Sequence, residues 1–183
     1  MGGYKIHNQH LAHFITYSVV DWIDVFVRPI YKEVVVESLK FCQKNKGLKI
    51  HGWCLMTNHI HLIISAEDGA SLSGILRDMK RHTAKTILDD LQNNRKESRR
   101  KWMLWMFRQA GRYSRNNENF QFWQHNNRPM EIRSQKFFTQ KMNYIHHNPV
   151  KEGLCYQPQD YPYSSARWYM DKKGLIEIDE LLI

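Results

Sequence analysis

Two strand-like runs, Leu48 to Met56 and the segment beginning at His59, are separated only by Thr57-Asn58. A two-residue connection makes the flanking strands antiparallel neighbours, so this hairpin commits the chain to a sheet. Asn58 suits such a connection because Asn tolerates positive φ. Side chains alternate faces along a strand, so His59 and His61 project one way while Ile60, Leu62 and Ile64 project the other. Two imidazoles therefore converge on one point beside a tight turn.

The remaining segments alternate in type and show no internal repeat. His10 to Val20 is rich in β-branched and aromatic residues and predicts a first strand. Pro29 opens a helix at the position where its missing N–H costs least, Val35, Leu39 and Cys42 give it a buried stripe, and Gly47 stops it. Ser71 or Ser73 caps the next helix, whose Leu72, Ile75, Leu76, Met79, Thr83, Ile87 and Leu91 keep helical period. Residues 93–120 change composition: eight Lys or Arg stand against Glu97 and Glu118, which predicts a basic insertion, helical around Trp102 to Gln109. Phe120 to Gln124 is the candidate fourth strand. Ser134 caps a last helix through Phe137, Phe138, Lys141 and Tyr144, which should end near His147 or Asn148 because the residue before Pro149 disfavours helical geometry. The tail from Asp160 packs against the body. The expected fold class is α+β, a ferredoxin-like or RRM-like antiparallel sheet with helices packed on one side. A chain of 183 residues with 42% hydrophobic content is most simply a single domain carrying that insertion.

Charge narrows the partners. With 27 Lys and Arg against 18 Asp and Glu, the net charge of +9 favours a polyanion, most economically nucleic acid, with a membrane surface as the bland rival. The polar face of the second helix presents Arg77, Lys80, Arg81 and Lys85, suited to phosphate contacts that position a strand without specifying it. Basic runs are usually just solvated surface, but Arg99, Arg100 and Lys101 are followed by Trp102, Trp105 and Phe107, a mixture suited to tracking phosphates and stacking bases of a single strand. No stretch is long and apolar enough to span a bilayer and no signal peptide opens the chain, so a cytoplasmic protein without a membrane partner is expected. Cys42, Cys54 and Cys155 are odd in number and lack CxxC spacing, which predicts reduced cysteines.

Tyr144 and Asn148 stand four apart in a helical stretch and share a face, so they can stand over the histidine pair if that helix packs there. Alone, each has a plainer reading: a packed aromatic, and a cap for the turn after Pro149. Capping and metal binding compete for the Asn148 side chain. His146 and His147 are adjacent, about 100° apart around a helix, and do not readily face one ion together.

The segments TNHIHLII, LSGILRDMKRHTAK, FWQHNNRP, YIHHNPVKEGL and YSSARWY, in this order over roughly residues 10–170, resemble the HUH-type single-tyrosine transposases, closest to the REP-associated tyrosine transposase branch. The resemblance implies a nuclease and strand transferase for single-stranded DNA, usually at a hairpin-flanked site, acting as monomer or homodimer without ATP. It implies that His59 and His61 ligate a divalent metal, Mg²⁺ or Mn²⁺, that Asn148 completes the shell, and that Tyr144 is the nucleophile forming a 5′-phosphotyrosine intermediate. Relatives in the broader class often carry Gln where this chain has Asn148. Tyrosine has an ordinary pKa of about 10, so its proton needs an acceptor as attack proceeds, and Lys141 and His147 both stand on roughly the right face. The competing function is a non-catalytic binder of single-stranded DNA, hairpins or RNA on the same scaffold.

Overall fold

A computed structural model describes residues 6, 8–9, 11–112, 119–125 and 127–181; Arg115 of the basic run lies outside them. Strands β1 (His13–Ser18), β2 (Leu48–Leu55), β3 (His59–Ala66) and β4 (Met130–Glu131) form one sheet in the order β2-β3-β1-β4. Every paired neighbour is antiparallel. The hairpin closes as expected, with Met56 N–H donating to the His59 carbonyl at 2.8 Å. Asn58 does not use positive φ. Its side chain is instead spent on the neighbouring loop and on His59.

Helix α1 (Pro29–Lys46) begins at its proline and ends on Gly47 at φ 70°, the left-handed cap that lacks a Cβ penalty in glycine. Helix α2 (Leu72–Asn93) is capped by Ser71, whose Oγ accepts from Gly74 N–H at 3.2 Å. The basic segment forms α3 (Arg100–Arg112), which buries Met103 and Phe107 in the main core with Leu88 and Leu91 of α2. Helices α1 and α2 cover the face carrying Ile15, Tyr17, Ile60, Leu62 and Ile64. Helix α4 (Gln135–Lys151) lies on the opposite face, where Met142 and Ile145 pack with Phe14, Cys54 and Ile63. The α+β plan stands, with helices on both faces and α4 alone on its side.

Three boundaries differ from the sequence expectations. Phe120 to Gln124 makes only an isolated bridge between Val19 and Trp123, and the fourth strand is Met130–Glu131. The β-rich look of Phe122 and Trp123 reflects burial in the main core, 3% and 4% exposed, more than ladder formation. Helix α4 runs through Pro149 to Lys151, where only a last-turn bond is at stake. The first strand stops at Ser18, short of Val20, because the chain turns there into a loop in which Asp21 and Trp22 take φ of 51° and 53°, and His10 lies outside the described residues. Successive left-handed non-glycine residues cost about 1–2 kcal/mol each, so surrounding contacts must hold them. The holding bonds run from Val20 N–H to the Phe122 carbonyl, Phe26 N–H to the Thr57 carbonyl, and Arg99 Nη1 to the Asp24 carbonyl, at 2.9, 2.8 and 2.9 Å.

The tail seals the free edge of β2: Leu55 N–H donates to the Tyr163 carbonyl and Ile50 N–H to Asp179 Oδ2, at 2.9 and 2.8 Å. A covered edge cannot recruit another strand. Gly52 of β2 sets how near α4 comes, since a Cβ there would run into Met142 Sδ, with Met142 Cε at 3.1 Å and Ile145 Cδ1 at 3.3 Å. We expect Gly52→Ala to cost about 1–3 kcal/mol by overpacking, read as a lower urea midpoint, because α4 must lift or Met142 must leave its packed position. Unchanged stability would mean that Met142 swings aside freely.

Candidate active site

The β1–β3 register sets Thr16 opposite His61 and Ser18 opposite His59, all on the face that α4 covers. Thr16 Oγ1 lies 2.7 Å from His61 Nδ1, and Asn58 Oδ1 lies 2.7 Å from His59 Nδ1. Asn58 Nδ2 donates to Asp24 Oδ1 and the Trp22 carbonyl, at 3.0 and 3.2 Å, which orients its oxygen toward His59. His59 therefore donates through Nδ1 and turns the lone pair of Nε2 toward His61. Asn148 Nδ2 donates to His61 Nε2 at 2.7 Å, so His61 likewise keeps its proton on Nδ1 and gives it to Thr16. The two Nε2 atoms face each other at 3.0 Å.

Burial holds His59 down to about 4 and, with the charges of His59 and Lys141 adding to it, His61 down to about 3. Both rings are neutral at pH 7, the ligand form of imidazole. Two nitrogen lone pairs at this distance repel unless a cation lies between them, and cis ligands each about 2.1 Å from one ion stand about 3 Å apart. Among the described residues no third His, Cys, Asp or Glu joins them in a metal-binding group. The third polar side chain is Asn148. Asn148 sits inside α4, which continues to Lys151, and its amide nitrogen is turned to His61. The donor set fits a divalent ion with open positions, and an amide rotation would turn the Asn148 oxygen toward it.

Tyr144 stands one helical turn before Asn148 and is 43% exposed. Its ring centroid is 5.2 Å from that of His61 and 6.2 Å from that of Phe14, which also stacks on His61. Lys141 Nζ and Lys151 Nζ lie 5.8 and 6.0 Å from the Tyr144 ring centre. His147 is committed through Nδ1 to the Asn143 carbonyl at 2.9 Å, and His146 turns away to Ser165 Oγ at 2.8 Å. Sequence reasoning missed Thr16 and Asn58, which orient the two histidines. Asn58, directly before His59, was readable only as a turn residue, and Thr16 is linked to His61 through strand register alone.

The predicted nucleic-acid residues separate into two groups. Arg77, Lys80, Arg81 and Lys85 line a cavity of about 920 Å³ together with Phe120, Trp123 and Asn127. Lys80 is its fixed cation: Nζ donates to the Gln124 carbonyl at 3.2 Å, sits 4.6 Å from the Tyr17 ring centre, and is pushed down to about 8 by burial. Arg99 differs from this group. It pairs with buried Glu97 at 3.2 Å and holds the Asp24 carbonyl, so its guanidinium serves the fold of the Trp22 loop. Arg100 Nη1 reaches the Gln92 carbonyl at 3.3 Å, and Lys101 is exposed.

Buried neutral histidines make stability depend on pH. Their folded values lie below the ordinary 6.5, with His146 also pushed down to about 4 and buried His51 lowered, so between these values and 6.5 the unfolded chain binds more protons. Their contribution is full above pH 6.5 and is lost as pH falls toward 4, at most on the order of 1 kcal/mol per pH unit for each histidine. In chelator, urea midpoints should drop from pH 7 to pH 5, and less steeply when His59 and His61 are both Ala. Equal slopes would show that the pair does not titrate on unfolding.

A histidine pair on a central strand, with a tyrosine helix laid across the same face, is the arrangement of an HUH-type tyrosine transposase. The family profile described as Transposase IS200 like matches residues 9–114, more than half of the chain. The chain belongs to the IS200-like transposase family. A solved structure described as the REP-associated tyrosine transposase bound to a REP hairpin superposes with a TM-score of 0.67 at 19% identity, covering 100% of this chain and 93% of that one. A transposase candidate from Deinococcus radiodurans R1 aligns at a TM-score of 0.46 and 13% identity over 80% of this chain and 97% of that one, too weak to argue from. No curated protein matches. Among the described residues no helix is long and apolar enough to cross a membrane.

Proposed function

We propose that this transposase is a metal-dependent single-stranded DNA endonuclease and strand transferase in which Tyr144 is the nucleophile. The observation that carries the reading is the meeting of His59 Nε2, His61 Nε2 and the Asn148 amide, 3.0 and 2.7 Å apart, beside the half-open Tyr144 ring. His59, His61 and Asn148 would hold Mg²⁺ or Mn²⁺, which when bound neutralises and orients the scissile phosphate. Tyr144 Oη attacks phosphorus, an Oη–P bond forms, and the P–O3′ bond breaks to leave a 5′-phosphotyrosine and a free 3′-OH. The phenolic proton has water to go to at an exposed ring, and the departing 3′ oxygen takes up a proton in turn. The phosphodiester energy stays in the covalent link until another 3′-OH attacks it, so joining needs no external energy source. Lys141 and Lys151 add positive charge beside the tyrosine, favouring a bound anion. Tyr144 and the histidines of one chain already meet, which supports a site completed in cis.

Net charge and the hairpin bound by the structurally similar transposase support DNA as partner, single-stranded and flanked by a hairpin. The α2 cavity is the better candidate for phosphate contacts than the start of α3, because Arg77 and Arg81, although both pair with Asp78, keep side chains 75% and 77% exposed, while Arg99 is 32% exposed and spent on buried Glu97. Changing Arg77, Arg81 and Lys85 together to Gln should flatten the slope of log affinity against log salt by roughly 0.7 for each lost contact. Lys101→Gln should alter it by one contact at most. An unchanged slope in the triple variant would return that helix face to ordinary surface. The reading itself is tested by incubating the protein with divalent metal and single-stranded DNA from the flanks of its own gene. A protease-sensitive covalent adduct is expected, and none under any metal would leave a DNA-binding protein without cleavage.

A further inference from the structure

Four rings stand in series across the site. Tyr144 contacts His61 at 5.2 Å between centroids, His61 contacts His59 at 4.6 Å, and His59 contacts Trp22 at 5.7 Å in an edge arrangement. Tyr144 and Trp22 thus flank the histidine pair from its two ends. Trp22 is 56% exposed, an open position for the largest apolar side chain. It is also held in the left-handed region at φ 53°, directly after Asp21 at φ 51°, without a glycine to relieve either. Bulky residues rarely adopt this conformation, and such strain persists where the surroundings impose it. They do so here through Asn58, whose amide nitrogen donates to the Trp22 carbonyl at 3.2 Å while its oxygen accepts from His59 Nδ1–H at 2.7 Å. One side chain therefore fixes the indole and the imidazole relative to each other.

We propose that Trp22 is the stacking platform for the base on the 5′ side of the cleaved bond. The inference rests on the tyrosine reading above. In-line displacement puts the attacking and departing oxygens on opposite sides of phosphorus, so with Tyr144 at one end of the pair the departing 3′ oxygen, and the nucleotide that keeps it, lie toward the other. That end is where Trp22 stands. Asp21 and Asp24 flank it in the chain, and the cation of this loop, Arg99, is already spent on Glu97 and the Asp24 carbonyl, which leaves the ring face as the attractive feature. An aromatic face accepts any base, so Trp22 seats the nucleotide without reading its hydrogen-bonding edge.

The test combines a protein change with a DNA change at the cleavage position that wild-type adducts define. Trp22→Asn removes the ring but keeps a residue that tolerates positive φ, and Trp22→Phe keeps a smaller ring. Trp22→Asn should slow adduct formation about tenfold, within the range of a lost base–aromatic stack, and Trp22→Phe should recover most of it. An abasic nucleotide on the 5′ side should slow wild type about tenfold and Trp22→Asn scarcely further, whereas an abasic nucleotide on the 3′ side should slow both alike. Losses that multiply, or a Trp22→Asn protein as fast as wild type, would overturn the assignment of Trp22 while leaving Tyr144 in place. Absence of any adduct from wild type would overturn the tyrosine reading and this inference with it.

Discussion

Replacing Tyr144 by Phe is expected to abolish covalent capture of DNA while leaving the fold and DNA affinity intact. The substitution removes one oxygen from a ring that is 43% exposed, and among the described residues no hydrogen bond of that hydroxyl supports the packing of α4, which rests on Met142 and Ile145. Without Oη no atom of that ring can attack phosphorus, so the loss should be on the order of a thousandfold or more, as for removal of a catalytic nucleophile. A gel retaining full DNA binding but no protease-sensitive adduct checks both halves. The chain has nine tyrosines, and among the described ones only Tyr144 shares a helix face with Asn148 while its ring stands beside His61. An adduct from Tyr144→Phe that maps to another residue, for instance exposed Tyr156, would sink the assignment.

The second large effect is expected from the histidine pair. His59→Ala and His61→Ala each remove one of two inward-facing lone pairs, and either change should lower Mn²⁺ affinity and cleavage at least on the order of 100-fold. Loss of a residue that only orients a ligand already costs about 10–100-fold. Thr16→Val supplies that comparison, since it removes the partner of His61 Nδ1 while keeping the shape and the strand. A Thr16→Val loss smaller than those of the histidine variants, with metal binding measured by calorimetry, is the expected order. Unchanged metal affinity after both histidines become Ala would refute the site. The α2 face proposed for phosphate contacts should be indifferent to all three changes, because Tyr17 and Lys80 lie across β1 from Thr16.

Much of this was legible from local pattern. Alternation along β3 dictated that His59 and His61 share a side, the four-residue step in α4 joined Tyr144 to Asn148, and Pro29, Gly47 and Ser134 marked helix ends that the structure keeps, while the choice between Ser71 and Ser73 fell to Ser71. These signals survive because each depends on neighbours within a turn or a pleat. Other features have no such local cause. Arg99 and Lys101 look alike in a basic run, and only the burial of Glu97 decides that Arg99 is an internal ion pair. The aromatic segment at Phe122 and Trp123 mimics a strand because core packing and sheet pairing select the same residue types.

By itself, then, the sequence determined the chemistry available: two ligand-ready imidazoles on one strand face, a tyrosine and an amide on one helix face, and a basic surface for a polyanion. Tertiary structure decided that these faces meet. Gly52 lets α4 settle onto the sheet, strand register sets Thr16 behind His61, and long-range bonds hold Trp22 in a backbone conformation that no local preference would choose. Periodicity says which side chains point together, but which surface they point at is settled by packing energy summed over residues distant in the chain.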